Sequence, residues 1–298
     1  MVVRSSRRLQ LSSPPPLPRR ATQHLIALVL SVGALMGGCS RLWPDEPVDT
    51  DHCLATVGQS TATLTLEQAR NASLISAVAI GRGLQPRASS IAIATTLQES
   101  GLRNLDYGDR DSLGLFQQRP SMGWGTIEQV TDPIYASNAF FDVMVTIPDW
   151  DSQDIGDVAQ AVQRSGYPDA YDQHITRART LASALTGETP AAWTCGRPSD
   201  SLADPERFMS LVQDTFASTA PLTITGATSL AATSLHGQLA TPALAWALAS
   251  FAISWADELG ISQVTIADQQ WTAISDDLAD WVTIDPASGV ATDIRIEF

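Results

Sequence analysis

Gln98-Glu99-Ser100-Gly101-Leu102 sets an acid in the last turn of a helix. Ile91, Ile93, Ala94 and Leu97 give that helix an apolar face. Pro86 opens it, the helix runs over Arg87 to Ser100, and Gly101 stands as the C-cap. The C-terminal end of a helix carries partial negative charge, so a carboxylate is disfavoured there and Lys or Arg is preferred. Apolar neighbours push in the same direction, raising the pKa of a buried acid. A place poor for stability is therefore good for general acid catalysis, in which a carboxyl group must keep its proton near neutral pH to protonate a leaving group.

Downstream comes Asp109-Arg110-Asp111-Ser112-Leu113-Gly114-Leu115-Phe116-Gln117, and then Trp124 between two glycines. Helical patterning surrounds this stretch. Leu66 to Gly83 carries apolar residues at Leu66, Ala69, Leu74, Ala77, Val78 and Ile80. Asp132-Pro133 starts a helix through Tyr135, Phe140, Phe141 and Met144, and Asp157 to Arg164 and Asp169 to Leu185 supply two more. No alternating strand pattern interrupts residues 64–187, so this part reads as an all-α domain.

Glu99-Ser100 followed by Ser112-Leu113-Gly114-Leu115-Phe116-Gln117 resembles the paired motifs of soluble lytic transglycosylases and goose-type lysozymes. In that family a Glu-Ser pair precedes a Gly-Leu-Met-Gln turn. Phe116 stands where the Met is usual, and the likeness covers about residues 66–186. It implies a lysozyme-like fold and cleavage of the β-1,4 glycan bond of peptidoglycan, with Glu99 as acid/base. Ser100 would help hold Glu99, and Gly114, Leu115, Phe116 and Gln117 would line the cleft opposite it. The family's later Ala-Tyr-Asn motif is altered. Its counterpart is Ala161-Val162-Gln163-Arg164-Ser165-Gly166-Tyr167, with Gln163 where Asn is expected and Tyr167 or Tyr171 as substitutes for the Tyr. The alternative from another class is a glycan-binding or scaffold lipoprotein using the same cleft without cutting.

A second carboxylate separates the chemistries. Hydrolases of either stereochemistry place one within about 5–9.5 Å of the acid; without it, the sugar's own hydroxyl attacks. Asp109 and Asp111 are the candidates, although a polar loop with Arg103, Arg110 and Gly108 more often uses aspartates as turn formers and ion-pair partners. Trp124 is a candidate for stacking on a sugar at the cleft edge. The four histidines (His24, His52, His174 and His236) lack ligand-type spacing, so neither a metal nor another cofactor is expected.

The first forty residues read as an export signal. Arg4, Arg7, Arg8, Arg19 and Arg20 precede the apolar run Leu25 to Met36, and Gly37-Gly38-Cys39 follow. The run falls short of the roughly 20 residues that span a bilayer. Leu35-Met36-Gly37-Gly38-Cys39 resembles a bacterial lipobox, which implies that Cys39 is lipidated and that the chain sits on the outer face of the cytoplasmic membrane. Ordinary secretion and a retained anchor helix are the alternatives. Those five arginines are part of 18 basic residues, leaving 13 to face 32 acidic ones, a balance that repels nucleic acid. Cys53 and Cys195 then remain as an even pair, which export would oxidise to a disulfide.

Composition divides the rest. Residues 1–38 read as signal peptide, 39–63 as a lipidated tether, 64–187 as the helical domain, 188–205 as a linker and 206–298 as a second domain. In the last, Ala240 to Leu259 reads as an apolar helix stopped by Gly260. Strands are expected at Ile261 to Ala267, Gln270 to Ile274, Trp281 to Ile284 and Ile294 to Phe298. Trp246, Trp255, Trp271 and Trp281 are expected in its core, and a docking role toward an envelope partner is its best functional guess. The expected class is α+β overall: an all-α lysozyme-like domain, then a small α+β domain.

Overall fold

A two-residue turn joins the first two strands among the described residues. Strand β1 (His52–Val57) pairs antiparallel with β2 (Ser60–Thr65), and Gly58 between them adopts φ +59°, the left-handed start that such turns use. The computed structural model describes residues 51–196, 201–216, 234–274, 277–284 and 290–298. The expected signal segment, residues 1–38, and Cys39 lie outside the described residues. No helix among the described residues is long and apolar enough to cross a membrane.

Thr65 and Gln68 form a reciprocal capping box that starts α1 (Leu66–Gly81). Pro86 opens α2 (Pro86–Glu99). A single turn of 3-10 helix, Pro120–Met122, leads to α3 (Ile127–Val130), and Asp132 caps α4 (Pro133–Met144). Asp154 caps α5 (Ile155–Gln163), and a 3-10 segment, Pro168–His174, runs into α6 (Ile175–Leu185). Then follow β3 (Trp193–Cys195), α7 (Pro205–Phe216), β4 (Ser234–Gln238), α8 (Pro242–Ser254) and α9 (Ala256–Leu259). Strands β5 (Gln263–Ile266), β6 (Gln269–Thr272), β7 (Val282–Thr283) and β8 (Asp293–Glu297) complete the chain. The class is α+β. One antiparallel sheet has the order β2-β1-β3 and the other β4-β8-β5-β6-β7.

The expected boundaries need correction at two places. Residues 52–63 are not tether: they are β1 and most of β2. Residues 193–195 are not linker: they are β3, which pairs with β1 and brings Cys53 opposite Cys195, joined as a disulfide. The helical segment is therefore covered by a sheet whose strands come from both of its ends, and the described residues cluster as one unit.

Helix α8 explains why no division falls after residue 187. It is apolar around its whole circumference, and every residue from Leu244 to Ser254 is buried. Such a helix needs cover on every side. It packs on α1 and α6 and also on β3, β5 and β8. At Gly187, whose φ is +73°, an added Cβ would lie 2.0 Å from the Ala243 carbonyl oxygen, so glycine permits the close approach of the two segments. Indole donors tie β3 to the C-terminal part: Trp193 Nε1 to Ser254 Oγ (2.9 Å), Trp271 Nε1 to Thr194 Oγ1 (3.1 Å) and Trp281 Nε1 to the Trp193 carbonyl (2.9 Å). Trp246, Trp255 and Trp271 are buried, as expected of core residues, and Trp281 packs half-buried against Trp246.

Candidate active site

Helix α2 delivers Glu99 from a buried body: Ile91, Ala92, Ile93, Ala94, Thr95 and Thr96 are all fully enclosed. Beyond it the chain turns sharply, with Gly101 at φ +63° and Leu102 at φ +60°. The Thr96 carbonyl accepts from the backbone N–H of both Ser100 and Leu102. Two side chains of α1 grip the turn from outside. Gln68 Nε2 donates to the Gly101 carbonyl and the buried Asn71 Nδ2 to the Leu102 carbonyl, each at 2.8 Å. The end of α2 is thus held by hydrogen bonds that leave the Glu99 carboxyl free to face elsewhere.

Glu99 is half-buried and its pKa is raised, chiefly by burial. Tyr171 and Gln163 oppose that rise by hydrogen bonding to the carboxylate. The Tyr171 hydroxyl donates to Glu99 Oε1 at 2.6 Å, and its ring is fully enclosed. Burial and the neighbouring Glu99 push the Tyr171 pKa up, so this hydroxyl keeps its proton and acts as a fixed donor. Of the two tyrosines that sequence offered, Tyr171 meets the acid, while Tyr167 is 78% exposed.

Residues 113–118 form a tight hairpin. The Leu113 and Gln118 backbones exchange both N–H···O bonds at 3.0 Å. Gly114 has φ +76°, and a Cβ there would sit 2.1 Å from the Val130 carbonyl oxygen. Gly114→Ala is expected to cost about 2–5 kcal/mol, a left-handed alanine plus an overpacked contact. Chemical denaturation checks this; a loss below 1 kcal/mol by about that measure would contradict the contact.

Two bonds tie the hairpin to the acid. Ser100 Oγ donates to the Leu115 carbonyl (2.7 Å), and Gln163 Nε2 donates to the Phe116 carbonyl (2.8 Å). Gln163, at the end of α5, therefore touches both the hairpin and Glu99. The other expected binding residues are placed differently. Leu115 and Phe116 are fully buried, Phe116 stacking on Phe140 at 4.7 Å, so their side chains frame the turn and offer no surface to a sugar. Gln117 Nε2 folds back onto the Gly114 and Tyr107 carbonyls. Trp124 packs half-buried against the core, between Gly123 at φ +85° and Gly125 at φ +143°.

The two loop aspartates are engaged elsewhere. Asp111 Oδ2 accepts from the Ser121 N–H (2.8 Å) and Oδ1 from Arg119 Nε (2.7 Å); hydrogen bonding by Ser121, side chain and backbone, and then by Arg119 holds its pKa well below the usual carboxylate range. The Asp109 side chain is 90% exposed beside Arg110. Among the described residues no group of three His, Cys, Asp or Glu side chains is arranged to hold a metal.

Sequence reasoning missed Asn71 and Gln68 as supports of the acid's turn. Their spacing on α1 looks like any polar face, and only the packing of α1 on α2 gives them a role. No family model matches the chain, and no curated protein matches it.

Proposed function

We propose that the protein is a lytic transglycosylase of lysozyme-like type, exported and lipid-anchored, that cleaves the β-1,4 bond between muramic acid and glucosamine units of peptidoglycan. The reading takes residues 64–187 as its lysozyme-like helical body. The observation that carries it is the half-buried Glu99 at the end of α2, its pKa raised and its carboxyl held by an enclosed tyrosine hydroxyl. The commitment of Asp111 to Arg119 and Ser121, and the exposure of Asp109, favour the route with one carboxyl group over a hydrolase with two.

In that route Glu99 gives its proton to the glycosidic oxygen as the C1–O bond breaks. The muramyl 6-hydroxyl forms the new bond to C1 and yields its proton to the Glu99 carboxylate. A 1,6-anhydro end results and no water is consumed. Burial favours the first step by keeping Glu99 protonated. The Tyr171 and Gln163 bonds favour its ionised form and so keep the group from being locked as an acid.

Digestion of purified peptidoglycan with the full chain tests the proposal. Mass spectrometry is expected to find 1,6-anhydro ends; reducing ends alone would assign a hydrolase, and intact strands would leave glycan binding without cleavage. Tyr171→Phe removes a donor that stabilises the carboxylate, so the Glu99 pKa rises further. The alkaline limb of the pH–rate profile then moves to higher pH, and kcat falls about tenfold for a lost hydrogen bond to a charged group. A lower rate with an unmoved limb would reduce Tyr171 to packing.

A further inference from the structure

A cleft of about 560 Å³ lies at the opposite end of α2 from Glu99. Its volume falls in the roughly 300–1,000 Å³ range of small-ligand sites. The N-terminal turn of α2, the side of α6 and the β1–β2 turn form its walls. Arg87, Arg179, Glu188, Ser90, Thr180 and Ser183 supply its polar chemistry.

The charges in this cleft are presented separately. Neither arginine forms an ion pair with Glu188 or with any other acid among the described residues. Arg87 is fixed by a bond from Nη2 to the Gln153 carbonyl, while its Nε is enclosed and has no hydrogen-bond partner. The α2 N-terminus adds positive potential, since Gln85 gives no side-chain cap and the first turn holds no acid. Glu188 brings the opposite charge to the same space. The hydroxyls of the buried Ser90 and Thr180 donate to helix carbonyls, leaving lone pairs to accept from a ligand's N–H. A simple anion would use only the guanidinium side. A ligand with both a carboxylate and a free amine would use all of it.

We propose that this cleft binds a short zwitterionic peptide, its carboxylate toward Arg87 and Arg179 and its amine toward Glu188. The peptide stems of peptidoglycan belong to this class, and that identification of the source rests on the function proposed above. The site would then hold the peptide of a strand at a distance from the sugar being cut.

The probe is the synthetic peptide N-acetyl-L-Ala-γ-D-Glu-L-Lys-D-Ala, whose one free amine is the lysine Nε, titrated into the full chain by calorimetry. Saturable binding is expected, equal in the native chain and in Glu99→Gln. The exposed Arg179 is the safer arginine to change, because Arg87 also holds the Gln153 backbone. Arg179→Ala, and separately amidation of the peptide carboxyls, are each expected to weaken binding about tenfold, the value of one charged hydrogen bond. Glu188→Gln should do the same for this peptide and nothing for the form also acetylated on the lysine Nε, the amine that a strand-bound stem keeps. Absence of saturable binding, equal affinity of the amidated peptide, or full displacement by equimolar inorganic phosphate would each overturn the proposal. Peptide binding without glycan cleavage would keep this site and reject the reading of Glu99.

Discussion

Glu99→Gln is expected to lower the rate of glycan cleavage by about 100- to 10,000-fold, the usual worth of a positioned general acid. The same change should raise stability at neutral pH. Glu99 has a raised pKa in the folded chain, with burial as the main cause. Between the ordinary carboxylate value and that raised value, the folded state binds more protons than the unfolded state. Stability therefore falls as pH rises through this window and stays lowered above it. Glutamine does not ionise, and its side-chain oxygen can still accept from Tyr171. The melting temperatures of the two chains should coincide below the ordinary carboxylate range and separate as pH rises, with the variant higher. A residue that served only structure would show the reverse: a less stable variant with unchanged activity. Paired melting curves across pH and product analysis on peptidoglycan decide between them.

The acid was legible because its place breaks a rule. An apolar helix ending in Glu-Ser-Gly puts a carboxyl where the helix dipole disfavours it, and that conflict is visible in the residue order alone. Tyr171 was only half legible. Its approach to Glu99 in space is set by how the 3-10 segment Pro168–His174 packs on α2, which no periodicity encodes. The resemblance reads Gly114 to Gln117 as a turn lining the cleft, whereas the side chains of Leu115 and Phe116 fill the core and their backbone carbonyls accept from Ser100 and Gln163.

The strands at 52–65 carried a signal that the polar composition of residues 40–62 masked. His52 to Val57 and Ser60 to Thr65 flank Gly58-Gln59, a glycine-first pair suited to a hairpin, and the second run alternates threonine with small or apolar residues. Strand β3 gave no such signal. Three residues between Gly, Pro and Ser clusters become a strand because β1 offers an edge and because Trp193 is buried against Ser254. Strands β5, β6, β7 and β8 fall close to their expected places, but the single helix expected over Ala240 to Leu259 does not form: α8 ends at Ser254, the separate α9 carries the chain to Gly260 at φ +69°, and neither α7 nor β4 is among the expected elements. What composition could not give is their partner. An apolar helix states that it is covered, not by what, and α8 is covered by the body that carries Glu99.

Replacing both Cys53 and Cys195 by alanine is expected to destabilise the chain by roughly 5 kcal/mol on the chain-entropy account of a long loop. The bridge spans a sequence separation of 142 residues, and both cysteines are buried. That sum is large beside the roughly 5–15 kcal/mol of a whole domain. In a protein of this size it corresponds to a fall in melting temperature of about 10–20 °C. The local structure amplifies the effect. Strands β1 and β3 share only three residue pairs, Cys53 with Cys195, Leu54 with Thr194 and Ala55 with Trp193. Through those pairs the N-terminal hairpin meets the strand whose indole and carbonyl bind Ser254 and Trp281. Without the covalent link, the joint between the hairpin and the C-terminal elements is left to these three pairs, the flanking backbone bonds Thr56 N–H to Ala192 and Gly196 N–H to His52, and packing. The Glu99–Tyr171 pair lies on α2 and the 3-10 segment, neither of which includes a bridge residue. Below its lowered melting point the double variant should therefore keep its cleavage rate, while protease cuts it first near β1 and β3. Calorimetry and limited proteolysis provide the check. A melting temperature within about 2 °C of the native chain would show that packing at Trp193 holds this joint alone.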